Sequence, residues 1–255
     1  MQVADLPRLL SAADPEPVEL VNPHSPSAVL LLCEHAGRAI PATLGNLGVS
    51  DDVLTSHRAW DIGAESVARA LSDRLDAPLI LQRYSRLVID SNRRPGCAES
   101  IPSISDQVTV PANQNLSDHA RQARADEIFW PLDAAIERGF ETPRRACFSI
   151  HSFTPHMDGF ERPWHAGFLT RTATETAHAL MATIASAAPE LNLELNQPYQ
   201  VDNETDWFLP AHAEKRALPH CLFEIRNDQL ADEQGVERWV DLLAGAITTY
   251  MATAS

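Results

Sequence analysis

Two histidines stand directly behind runs of strand-forming apolar residues. His151 closes "RACFSI" and leads into "HSF", while His35 follows "AVLLLC" within "CEHAG". With one carboxylate added, they make the two-histidine, one-carboxylate donor set of a catalytic zinc site that keeps a position open for water. Such a site lowers the pKa of water and polarises a carbonyl oxygen, which suits hydrolysis of an amide or ester. A further carboxylate must then accept a proton. Glu224, at the end of the apolar run in "HCLFEIRN", is placed for that general-base role. Arg226 lies two positions further on, and strand alternation points both side chains the same way. Binding a small anion also calls for cations, and "RYSRLVIDSNRRP" gathers Arg83, Arg86, Arg93 and Arg94 in one short segment.

These residues need strands to carry them. The runs at 28–33, 77–84, 86–90, 145–153, 165–170 and 220–227 are short, apolar and bounded by polar or turn residues, so they read as strands, the longer apolar ones buried. Between them, 63–76, 116–140, 172–189 and 232–251 carry helical periodicity. Ser117 is a plausible cap for the second helix, and Pro131 is expected to kink it or mark a boundary. Strands alternating with helices predict an α/β fold with a mainly parallel sheet covered on both faces. Ligands then gather at the strands' C-terminal ends, where "CEHAG", "IDSNRR", "IHSF" and "EIRN" all fall. Residues 1–26 read as an irregular N-terminal arm, and 1–255 as one domain.

Composition bounds the partners. A net charge of -15 argues against nucleic acid or an anionic membrane surface as principal partner, because either would be repelled over much of the molecule. The four cysteines show no CxxC spacing and three lie in apolar runs, so they read as buried, reduced thiols. Neither a signal peptide nor a run of about 18 apolar residues is evident, so the expected location is the cytoplasm.

The segments "CEHAGRAIP", "HRAWDIGA", "SRLVIDSNRRP", "SIHSF" and "LPHCLFEIRND", in that order and spacing, resemble the N-formylglutamate amidohydrolase family from about residue 28 to about residue 230. Three of them also resemble zinc carboxypeptidases. The resemblance implies a three-layer α/β/α fold, one zinc or other divalent ion, and hydrolysis of the N-formyl or small N-acyl amide of an acidic amino acid. That bond is a C–N bond other than a peptide bond. The resemblance assigns His151 as a ligand, Asn92 and Arg93 as carboxylate binders, and Glu224 as base. It also brings Arg86, Arg226 and His212 among the substrate-binding candidates. The first ligand motif departs from the carboxypeptidase pattern, because Arg38 stands where a carboxylate ligand belongs. Asp61 is the expected replacement and Glu34 its rival.

Each residue has a plainer account: His151 as a structural histidine, Asp61 as a helix cap, Glu34 as a surface partner of Arg38, Glu224 as the ion-pair partner of Arg226, and His212 as a helix-surface residue. A carboxypeptidase-like or other N-acyl amino-acid deacylase would keep the metal and base with a different pocket. A non-catalytic binding module would have lost the metal. The acyl group, the amino acid and the oligomeric state stay open.

Overall fold

Apolar runs too short for helices and flanked by turn residues fold into strands whose two faces are both buried. A computed structural model describes residues 8–253. Its main sheet contains β1 (Val18–Val21), β2 (Val29–Cys33), β3 (Leu79–Gln82), β4 (Ala146–Phe153), β5 (Ala166–Leu169), β6 (Leu193–Leu195) and β7 (His220–Arg226). The spatial order is β1-β3-β2-β4-β7-β5-β6. The central strands β3, β2, β4 and β7 run parallel to one another. β1 pairs antiparallel with β3, β5 antiparallel with β7, and β6 parallel with β5. The sheet is therefore mixed and mostly parallel, as the alternation of elements predicts.

Alternation along the strands splits the core in two. Val29, Leu31 and Cys33 of β2, Phe148 and Ile150 of β4, and Phe223 and Ile225 of β7 face one side. They pack there against the helices α1 (Ala64–Leu75), α4 (Thr174–Ala187) and α5 (Glu233–Thr253). Leu30, Leu32, Cys147 and Leu222 face the other side, against α3 (Trp130–Gly139) and the turn of π-helix at Leu209–Ala213. The three-layer α/β/α arrangement follows.

Two local expectations differ from the fold. Val18–Val21 lies within the expected irregular arm yet forms an edge strand; residues 1–7 of that arm fall outside the described residues. The 86–90 segment is a turn and not a strand. Its Leu87, Val88 and Ile89 are apolar because they fill a satellite cluster with Tyr84, Ile101, Val110 and Phe129. Buried Arg124 fixes that turn by donating to Val88 O (2.8 Å) and to Asn113 Oδ1 (2.7 Å). Pro131 marks a boundary within its helical segment, as expected. A π-turn at Ala125–Phe129 joins α2 (Asp118–Arg124) to α3, and Trp130 N–H bonds back to Ala125 O, so the missing N–H of Pro131 falls in the first turn of a new ladder.

Candidate metal and hydrolytic site

The register of the central strands builds the site. His151 on β4 and Glu224 on β7 are direct cross-strand partners. Both point to the same face as Leu222 and Cys147, because they sit two and four residues beyond those core positions. β2 continues into Glu34 and His35 just past its last strand residue. Asp61 approaches through the loop before α1, held when its N–H donates to His35 O (3.0 Å).

Three donor atoms converge. His151 Nδ1 lies 2.9 Å from Asp61 Oδ2, His35 Nδ1 lies 3.3 Å from the same oxygen, and the two Nδ1 atoms are 3.1 Å apart. Zinc bonds of about 2.0–2.1 Å in tetrahedral geometry put neighbouring donors roughly 3.3 Å apart, so this triangle fits such an ion. The opposite ring nitrogens are committed elsewhere. His35 Nε2 donates to Asp90 Oδ1 (2.7 Å), and His151 Nε2 donates to Glu34 Oε2 (3.2 Å). Those outer carboxylates fix the tautomer that turns each Nδ1 lone pair inward, the usual support of a metal-binding histidine. His35, Asp61 and His151 are all buried, and their candidate donor atoms lie within 4.8 Å of one another.

With no ion between them, the acids and histidines of this cluster stabilise one another's charge. Burial opposes charge on Asp61, but His35, His151 and Arg86 hold its carboxyl far below the ordinary range. Burial likewise opposes charge on His151, yet Glu34 and Asp61 raise it well above its usual value. Arg86 bridges the acids, donating to Asp61 Oδ1 (3.1 Å) and to Asp90 Oδ2 (2.8 Å). Asn92 N–H also donates to Asp90 Oδ1 (3.0 Å), which ties that loop to the histidine shell.

Glu224 behaves differently. It is buried, its Oε2 has no hydrogen-bond partner among the described residues, and burial pushes its carboxyl up to about 7 against the pull of His151. It lines a cavity of about 520 Å³ with His35, Asp61, Asn92, Arg93 and His151.

The expected residues separate cleanly. His35, Asp61, Arg86, Asn92, Arg93, His151 and Glu224 all line one cavity. Asp61 does not cap α1, whose first turn starts from Gly63 without a side-chain cap. Glu34 does not pair with Arg38 and does not join the donor triangle; it accepts from Ser149 Oγ and supports His151. His212 and Arg226 lie outside the cavity lining. His212 bonds Asp133 Oδ1 through Nε2 (2.7 Å), and Arg226 is spent on Asp228 and on Arg162 O. No Glu224–Arg226 ion pair forms, because Arg226 turns to these partners instead.

Asp90 and Tyr199 escape the sequence reading. Asp90 sits in a segment that mimics a strand, and only its distance from His35 reveals its part. Tyr199 lines the cavity with its Oη accepting from Arg162 Nη1 (3.0 Å), and it follows no motif. Gly167 leaves room for this segment: a Cβ there would lie 1.5 Å from Gln197 O. Two small hairpins, Ile104–Ser105 with Val108–Thr109 and His156–Met157 with Phe160–Glu161, add to the cavity wall. Gln107 Nε2 of the first donates to Asp158 Oδ1 of the second (2.9 Å).

The sequence model described as N-formylglutamate amidohydrolase matches residues 27–231, a span that contains every residue of this cavity. The chain belongs to the N-formylglutamate amidohydrolase family. It is an amide hydrolase acting on C–N bonds other than peptide bonds. The gene product Atu2144 from Agrobacterium tumefaciens is 34% identical over 97% of this chain and 99% of its own, with a TM-score of 0.91. N-formylglutamate amidohydrolase from Ralstonia eutropha JMP134 shares the fold at 13% identity and a TM-score of 0.70, covering 94% of this chain and 99% of that one. No curated protein matches the chain. Within this amidohydrolase no described helix is long and apolar enough to cross a membrane.

Proposed function

We propose that the chain hydrolyses the amide of a small N-acyl amino acid, N-formyl in the simplest case, with a divalent ion, zinc by its donor set, held by His35, Asp61 and His151. N-formylglutamate, the compound in the family's name, is the reference substrate. The observation that carries the reading is the donor triangle with both outer nitrogens anchored, set beside an unpartnered Glu224 oxygen. When bound, the ion supplies polarisation of the acyl oxygen and a lowered pKa for water.

The chain's own residues supply the rest. Arg93 holds the amino acid's carboxylate: its Nη1 is committed to Asp206 Oδ1 (2.5 Å) and Thr205 Oγ1 (3.2 Å), while Nη2 and Nε carry no bond among the described residues. That free edge is the bidentate face of a guanidinium. Asn92 beside it is fixed by Phe208 N–H donating to its Oδ1 (3.2 Å). Glu224 accepts the proton water loses as its oxygen bonds to the acyl carbon. It then passes that proton to the amine nitrogen as the C–N bond breaks, releasing the carboxylic acid and the free amino acid. Tyr199 and the two hairpins wall the reacting centre from bulk water. Four unpaired thiols suit a reducing compartment such as the cytoplasm.

The test combines metal analysis with formate release. Protein purified without added metal should carry about one zinc per chain, lose it with His151→Ala, and release formate from N-formyl amino acids. A protein free of metal and silent on every N-formyl amino acid would defeat the proposal.

A further inference from the structure

The cavity is poorly suited to a substrate with two carboxylates. Its lining holds three arginines, Arg58, Arg86 and Arg93, against six carboxylates, Asp61, Asp90, Glu99, Asp106, Asp206 and Glu224. Every one of those arginines already meets an acid: Arg58 Nη2 lies 2.8 Å from Asp106 Oδ2, Arg86 bridges Asp61 and Asp90, and Arg93 pairs with Asp206. A divalent ion would offset only part of the excess. One substrate carboxylate finds the open edge of Arg93; for a second, the lining offers only Arg58 Nη1 and His57, both held beside Asp106, whose own carboxylate opposes another anion there.

The floor beyond Glu224 has the opposite character. Leu222 lies two residues before Glu224 on the same face of β7, and its partner across the antiparallel pair is Leu169 of β5. Leu209 joins them in one buried cluster, and Val201 packs against it. All four line the cavity. The segment from Val201 to the start of the π-helical turn at Leu209 also anchors the loop of the carboxylate-binding residues. Arg94 N–H donates to Thr205 O (2.6 Å), Arg93 pairs with Asp206, and Trp207 N–H donates to Asn92 O (3.1 Å). Arg93 and this aliphatic surface line the same cavity, so an amino acid whose carboxylate rests on Arg93 has the surface within the space open to its side chain. Glutamate would bring an unpaired carboxylate against four hydrocarbon groups, which is costly. A leucine-sized side chain would bury its surface there.

Resting on the amidohydrolase reading above, we infer that the released amino acid carries an aliphatic side chain of valine-to-methionine size, with Leu169, Val201, Leu209 and Leu222 as the specificity-determining floor.

The experiment compares zinc-supplemented protein on N-formyl-leucine and N-formylglutamate, and measures by calorimetry the binding of free leucine and free glutamate, the corresponding products. The expected result is kcat/KM higher for N-formyl-leucine by roughly 10-fold or more, the usual worth of a matched apolar pocket. Leucine should also bind more tightly than glutamate. Half-buried Val201→Arg, the least disruptive place to add a cation, should lower that kcat/KM ratio by roughly 10-fold or more. Preference for N-formylglutamate, or equal binding of the two amino acids, overturns the inference. If neither compound is hydrolysed while leucine still binds more tightly than glutamate, the floor keeps its assignment and the hydrolase reading fails.

Discussion

Replacing Glu224 by glutamine separates chemistry from stability in one variant. The side chain keeps its shape and one acceptor oxygen but can no longer take a proton, so turnover should fall by roughly 10²–10⁴-fold while metal content is unchanged. The same variant should change the pH dependence of the metal-stripped protein. Burial moves the Glu224 carboxyl from its ordinary 4.5 up to about 7. Each pH unit is worth about 1.4 kcal/mol, so ionising this group inside the fold costs roughly 3 kcal/mol. The sign follows from a raised acid: below about pH 4.5 the group is neutral in folded and unfolded chains alike and costs nothing. Wild-type stability is lost as pH rises through about 7. Metal-free Glu224→Gln should therefore exceed wild type by up to about 3 kcal/mol at pH 8, with the gap closing towards pH 4.5. Urea melts at several pH values, beside kcat on the zinc-loaded form, read both effects. A folded, zinc-loaded variant with wild-type kcat would refute the base, and a stability gap independent of pH would refute the burial argument.

Asp90→Ala removes the acceptor of His35 Nε2 and should weaken metal affinity by about 10–100-fold without unfolding the protein, measurable by competition with a chelator. Arg93→Ala should raise KM for a carboxylate-bearing substrate far more than it lowers kcat, since a remote guanidinium contributes binding shared by ground and transition states; steady-state kinetics with KM unchanged would take Arg93 out of the site. Gly167→Ala places a Cβ 1.5 Å from Gln197 O, so the 197–201 segment must move. Its melting temperature and kcat/KM should both drop, and unchanged values would mean that segment is free to shift.

Much of the site was legible because apolar runs ending in a chemically useful residue are unusual, and in this fold those endings lie at one edge of the sheet. His35, His151 and Glu224 announce themselves this way. Asp61 was legible only through family likeness, since an acid before a helix has the ordinary explanation of a cap. Asp90 was hidden because "RLVID" has the composition of a strand. What decides its conformation is a buried arginine over thirty residues away in sequence, Arg124, bonding the carbonyl of Val88. Arg226 misled for a related reason: alternation gives a side chain's direction but not its partner, and Asp228 lies nearer than the cavity. The hairpins and the 197–201 segment carry no periodic signal, so the cavity's outer wall and its Tyr199 could not be foreseen.

The stacked pair Phe148 and Phe223, with ring centroids 5.4 Å apart on the face away from the cavity, works as a gauge for the candidate site. In a two-residue period, a slip of one position between β4 and β7 would exchange the faces of every side chain on the slipped strand. The slipped strand's own ring, Phe148 or Phe223, would be thrust among the carboxylates, and its His151 or Glu224 would be sealed in hydrocarbon. The alignment that puts Glu224 beside His151 is thus guarded by residues on the opposite face of the sheet. A slipped register would forfeit that aromatic packing, so the folding core holds the candidate site in register from behind.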